Sequence, residues 1–160
     1  MVGELAVAYW TAGAYLTGDI DVVMPYVPET DACLGELGFE KQGRFWIPAE
    51  HGVFLEAPGS VLAPEEETVR ARLRSGRELR VLSAEDLLVY RLHEFVATGH
   101  SDAFGQAVML LDVPGLDRRR LATRIQKEGL GEALEEAAGR IRAGGRFESW
   151  ELHDLARRLQ

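Results

Sequence analysis

Residues 19–23, Asp-Ile-Asp-Val-Val, alternate polar and apolar side chains with a period of two. That period belongs to a β-strand with one face buried. Ile20–Met24 therefore reads as a strand, closed by Pro25 and Pro28. Ile20 and Val22 face the core, and Asp19 and Asp21 project together on the other side, about 7 Å apart at the backbone. Two carboxylates on one side repel each other unless a cation lies between them. Hard oxygen ligands of this kind suit Mg²⁺ or Mn²⁺, bound with one or two carboxylates and substrate phosphates. The alternative is a strand end with two solvated acids.

The run before this strand, Leu5–Gly18, is fourteen residues without a charge. Spanning a bilayer takes about twenty, so a transmembrane helix is excluded. No basic segment precedes the run, which argues against a signal peptide. Leu5–Leu16 reads as a buried helix, with Gly13 and Gly18 near its end and Tyr9, Trp10 and Tyr15 in the core. Cys33 is the only cysteine, so no internal disulfide and no multi-cysteine zinc site can form. It reads as a small, semi-buried side chain, and the expected location is cytoplasmic.

Downstream, Thr30 is positioned to cap a short helix ending at Gly38. Arg44–Ile47 and Val53–Ala57 form a hairpin across Pro48–Gly52, Pro58–Pro64 a loop, Glu65–Ser75 a short helix and Glu78–Leu82 a further strand. From Ser83 the pattern turns helical. Ser83 pairs with Asp86 at the first start, and Leu88, Leu92, Phe95 and Val96 share one face. Ser101 or Asp102 caps a second helix with Phe104, Ala107, Val108 and Leu111 inward, and Asp117 caps a third with Leu121 and Ile125. Leu134, Ala137, Ala138 and Ile141 mark a fourth, and Trp150, Leu155 and Leu159 a fifth after Gly144–Gly145.

Charge is uneven. Residues 1–66 hold eleven acids and two bases, whereas the remainder is nearly neutral, within a net charge of −8. An acidic half repels nucleic-acid phosphates unless a metal ion intervenes. Two basic clusters, Arg70–Arg80 and Arg118–Arg120, read as solvated helix faces, with nucleic-acid contact as the minority reading.

Gly3, the helix after it and Thr17-Gly18-Asp19-Ile20-Asp21 resemble the signature of the nucleotidyltransferase superfamily, which has a polymerase-β-like fold. That signature is a hydrophobic residue, Gly-Gly or Gly-Ser, a spacer, and Asp-hydrophobic-Asp or Glu. Leu37-Gly38-Phe39, Arg44-Phe45-Trp46, the strand to Glu56, and Val81 through Leu92 extend the likeness, as does Asp102. They are similar to a bacterial group of nucleotidyltransferase-like proteins, some related to toxin–antitoxin and abortive-infection systems. The resemblance implies an α+β fold. A small mixed β-sheet core with flanking helices would occupy residues 1–82, and a helical region packed on it residues 83–160. It implies Asp19 and Asp21 as ligands of Mg²⁺ or Mn²⁺, Glu56 as a third metal-binding and catalytic acid, and Gly3 and Thr17 at a nucleoside triphosphate. A helix N-terminus opened by glycine suits a phosphate.

Two departures follow. Glu4 stands where the signature has its second small residue, and a carboxylate there repels a triphosphate. The strand expected before Gly3 is reduced to Met1-Val2, so either the reading frame begins upstream or an edge strand is lost. Two functions remain open. One is metal-dependent transfer of a nucleoside monophosphate to a hydroxyl on a small molecule, RNA or protein. The other is a non-catalytic protein of the same fold, an antitoxin-like regulatory partner or a homodimer.

Other motifs are weak. His93-Glu94 lacks the second histidine of a zinc helix because position 97 is Ala, and His51, His100 and His153 have no partners at ligand spacing. Arg91 reads as a surface salt bridge and Trp46 as packing. Serine-hydrolase, P-loop and Rossmann glycine motifs are absent.

Overall fold

In a computed structural model the chain is described for residues 1–15, 17–48 and 52–142. It is an α+β structure with two compact units, residues 1–83 and residues from 84 onward. The fifth expected helix, His153 and His51 lie outside the described residues.

The first unit contains α1 (Gly3–Trp10), β1 (Asp19–Val23), α2 (Pro28–Glu36), β2 (Phe39–Gln42), β3 (Phe45–Pro48), β4 (Phe54–Gly59), β5 (Thr68–Arg72) and β6 (Glu78–Leu82). One sheet has the order β1-β4-β3-β2, and β5 and β6 pair separately. β1 and β4 are parallel, whereas β2–β3 and β3–β4 are antiparallel. The expected hairpin is present as β3 and β4. Ile20 lies opposite Leu55, and Leu55 opposite Trp46, so these three share one face. Trp46 is 1% exposed, which bears out packing as its role. On that face the Lys41 ammonium lies 5.2 Å over the Trp46 ring and pairs with Asp31 of α2 at 2.6 Å.

Several expectations about this unit are corrected. The apolar helix ends at Trp10 rather than Leu16, because the chain turns at Thr11–Gly13, where Ala12 takes a left-handed φ of +52°. The Gly13 N–H then closes the turn on the Ala8 carbonyl at 2.8 Å. Tyr9 is 45% exposed instead of buried, and Trp10 donates its indole N–H to the Leu82 carbonyl at 2.9 Å. The expected helix Glu65–Ser75 is a strand instead. Val69 and Ala71 alternate with outward Arg70 and Arg72, a period of two that a helix cannot bury. Its hairpin with β6 closes through Gly76 at φ +81° and a Leu73 N–H to Arg77 carbonyl bond of 2.8 Å. β2 was not foreseen, and α2 starts two residues earlier than Thr30, with Pro28 in its first turn. Cys33 on α2 is exposed, not semi-buried.

Met1-Val2 bonds on both sides. The Val2 N–H donates to the Asp21 carbonyl at 2.9 Å, and the Leu82 N–H donates to the Met1 carbonyl at 3.0 Å. The reduced first strand thus lies between β1 and β6 rather than at an edge.

The second unit contains α3 (Ala84–Thr98), α4 (Ser101–Leu111), α5 (Arg118–Glu128) and α6 (Gly131–Arg142). Leu88, Leu92, Phe95, Phe104, Ala107, Val108, Leu121, Ile125 and Ala137 are buried as expected or nearly so, and the Phe95 and Phe104 rings meet at 4.6 Å. Val96 points outward. Asp117 caps α5, accepting from the N–H groups of Arg119 and Arg120. At α4 the cap position is His100, without a side-chain cap bond, and Ser101 is buried in the first turn. Asp86 is fully buried and held by Arg120 at 2.5 Å and Arg124 at 3.2 Å, which ties the start of α3 to α5.

Candidate functional site

The register of β1 and β4 assembles the acids. Asp19 lies opposite Phe54, and Asp21 lies opposite Glu56. Directly opposed residues share a face, and so do residues two apart, so Asp19, Asp21 and Glu56 line one side of the sheet. Phe45 of β3 lies opposite Glu56 and joins that side. The other side holds Ile20, Leu55 and Trp46, so the apolar alternation fixes which way the acids project.

Gly3 explains how α1 meets this strand. Its φ is +62°, in the left-handed region that favours glycine. A Cβ at this position would overlap the Asp21 carboxylate and its Cβ. The Asp21 side chain therefore lies against the bare Cα that opens α1, and the Val2–Asp21 bridge holds the two segments in that contact. The first N–H groups of a helix have no partners within it and carry the positive end of its dipole. Asp21 and a helix N-terminus thus meet at one point.

Each remaining candidate has an assigned contact. The Thr17 hydroxyl accepts from the Asp19 N–H at 3.1 Å and shapes the turn into β1. Glu4 accepts from the Tyr15 hydroxyl at 2.9 Å. Glu56 pairs with Arg44, Nε to Oε1 at 2.8 Å, with the guanidinium also 5.2 Å from the Phe45 ring. Glu56 is 24% exposed and Arg44 60%, so the pair sits at the surface of the sheet and is worth little as a structural bridge.

Three hard oxygen donors share one face in adjoining registers, which suits Mg²⁺ chemistry. Among the described residues, however, no group of three or more His, Cys, Asp or Glu side chains is gathered closely enough to hold a metal ion. Arg44 engages one of the three. Asp19 and Asp21 remain as two acids on one face of β1.

Arg44 and Tyr15 were not singled out for the site. Arg44 comes beside Glu56 through the register of the β3–β4 hairpin, where the Ala57 N–H bonds to the Arg44 carbonyl at 3.0 Å. Tyr15 follows from the turn that ends α1 early, which no periodicity shows. Elsewhere, His93 is a surface residue paired with Glu128 at 3.2 Å, and Arg91 pairs with Glu94 one turn along.

Among the described residues no helix is long and apolar enough to cross a membrane. Compared with family models, curated proteins and solved structures, the chain gives no match.

Proposed function

We infer that this chain carries a nucleotidyltransferase-type site, which transfers a nucleoside monophosphate from a nucleoside triphosphate to a hydroxyl acceptor. One observation supports it above others: Asp21 lies opposite Glu56 on a parallel neighbour strand, with its carboxylate against Gly3 at the start of α1. Asp19 and Asp21 would hold Mg²⁺ or Mn²⁺. When bound, the cation neutralises phosphate charge and polarises the phosphorus under attack.

The chain's own groups supply the rest. The α1 N-terminus receives phosphate oxygens. Arg44 exchanges Glu56 for the triphosphate, since phosphate offers a guanidinium two acceptors in one plane. Glu56, released, takes the proton of the acceptor hydroxyl. The acceptor oxygen bonds to the α-phosphorus, the bond from that phosphorus to the β-phosphate bridging oxygen breaks, and pyrophosphate leaves. Tyr15 draws the Glu4 carboxylate into a hydrogen bond, which lowers its repulsion toward the incoming phosphates. We place the activity in the cytoplasm.

Thermal melts test the reading, using each ribonucleoside triphosphate with Mg²⁺ or Mn²⁺, on wild type and Asp19→Asn/Asp21→Asn. Ligand at 100 times its dissociation constant stabilises by about 2.7 kcal/mol. For a chain of this size that is a rise of about 5–10 °C. The rise should require the metal and disappear in the double variant. The Arg44–Glu56 pair favours the second reading, a non-catalytic protein of this fold acting as a regulatory partner or homodimer. No shift with any triphosphate supports that reading.

A further inference from the structure

The β5–β6 hairpin is the most strongly charged surface the transfer reading leaves unused. Between Thr68 and Leu82 it holds Arg70, Arg72, Arg74, Arg77 and Arg80 against one acid, Glu78. All five arginines are exposed. Arg70 reaches Glu78 at 3.4 Å, but among the described residues Arg72, Arg74, Arg77 and Arg80 have no carboxylate at ion-pair distance. Arg70 lies directly opposite Arg80 in the ladder. Like charges opposed across two strands destabilise a sheet. Arg72 lies opposite Glu78, so the hairpin presents an array of exposed guanidiniums with one like-charged pair at its centre, inside a unit that is otherwise acidic.

We propose that this hairpin is a docking surface for single-stranded RNA, gripped by its phosphates. Arginines two apart along a strand stand about 7 Å apart and those opposed across it about 5 Å, so one face offers a short two-dimensional set of phosphate contacts. Arginine binds phosphate bidentately, and its plane also stacks on unstacked bases, which lysine cannot do. A two-stranded ribbon is narrow beside a duplex, and single strands in a cell are chiefly RNA. The placement also suits the site. Met1 bonds to β6 at Arg80 and Leu82, and Val2 bonds to Asp21. The arginine ribbon therefore lies two strand spacings, about 10 Å, from the strand that carries the acids. That the bound strand supplies the acceptor hydroxyl rests on the transfer reading above; the binding itself does not.

Fluorescence anisotropy tests the binding without nucleotide. The probe is a labelled RNA of mixed sequence, about 16 nucleotides long. The comparison probes are the DNA strand of the same sequence, the RNA duplex and a polyglutamate of matched charge. The slope of log affinity against log salt, between about 50 and 200 mM, should be about −3 with four or five phosphates engaged. Arg72→Gln/Arg74→Gln/Arg77→Gln/Arg80→Gln should weaken binding by about tenfold or more at the low-salt end and bring the slope close to −1 or above. Arg74→Glu/Arg77→Glu, in the turn and outside both strands, should weaken it as well without lowering the melting temperature. Unchanged affinity and slope in these variants overturn the proposal. So does the absence of RNA binding at low salt. Tighter binding to the DNA strand, to the duplex or to polyglutamate overturns the assignment to single-stranded RNA. Nucleotide-dependent melting shifts in a chain that binds no RNA would leave the transfer reading standing and this one refuted.

Discussion

Gly3 is the residue on which the site's geometry turns, and both its constraints are measurable. Gly3→Ala introduces a strained φ and an overlap with the Asp21 side chain. The strain alone is worth about 1–2 kcal/mol for an L-residue. The overlap should bring the total to about 3–4 kcal/mol, as overpacking does in a tight contact. In an Asp21→Gly background the overlap has no partner, and the cost of Gly3→Ala should fall to the strain alone. Denaturant unfolding of the four proteins reads the coupling directly, and additivity would refute the contact. Glu136 makes a second test at this scale. Burial holds its carboxyl above the ordinary 4.5, with Arg140 one turn on drawing it back. A folded value above the unfolded one means that ionisation costs the folded state more. The stability contribution is therefore intact below pH 4.5 and lost as pH rises through the folded value. Glu136→Gln should then be more stable than wild type at neutral pH, with the difference vanishing toward pH 4 in melts across that range.

Elements were legible where one period ran unbroken. The strand at Ile20–Met24, the hairpin bearing Glu56 and the helices from Ala84 to Arg142 all follow from spacing and caps, as Asp117 illustrates. The sequence of β5 reads as a helix because Glu65-Glu66-Glu67 ahead of it and the arginines along it suit a helix in composition, while only Val69 and Ala71 carry the strand's alternation. β2 holds one apolar residue in four, too few to show any period. At the site, the acids were readable from their alternation, but the ion pair of Glu56 with Arg44 depends on register, which a single strand's pattern does not encode. Two element-level tests follow. Ala12 ends α1 in a conformation glycine adopts freely, so Ala12→Gly should stabilise the chain by about 0.5–1 kcal/mol in a denaturant melt. Asp86 joins α3 to α5 from a fully buried position. Asp86→Ala leaves two guanidiniums without their shared carboxylate and should cost about 3–5 kcal/mol. A loss below about 1 kcal/mol would mean that packing, not the ion cluster, holds these helices.

At the scale of the whole molecule, charge is what distinguishes this chain. Net charge is −8, and residues 1–66 carry all of the excess, the remainder being close to neutral. Within that acidic stretch Asp19, Asp21 and Glu56 are brought to one face by pairing, which adds local repulsion to the general one. Screening relieves repulsion between exposed charges and acts far less on buried pairs such as Asp86 with Arg120. The melting temperature should therefore rise with NaCl, by about 2–4 °C between low and physiological salt, equivalent to about 1 kcal/mol for a chain of this length. Asp19→Asn/Asp21→Asn removes two of those charges and should raise the low-salt value while flattening the dependence. MgCl₂ at matched ionic strength separates screening from binding. If Asp19 and Asp21 hold a cation, Mg²⁺ stabilises wild type beyond NaCl and loses that excess in the double variant. Equal effects of the two salts would reduce the acid pair to a source of repulsion. A melting temperature that falls with salt would show that surface ion pairs, not repulsion among the acids, dominate the balance.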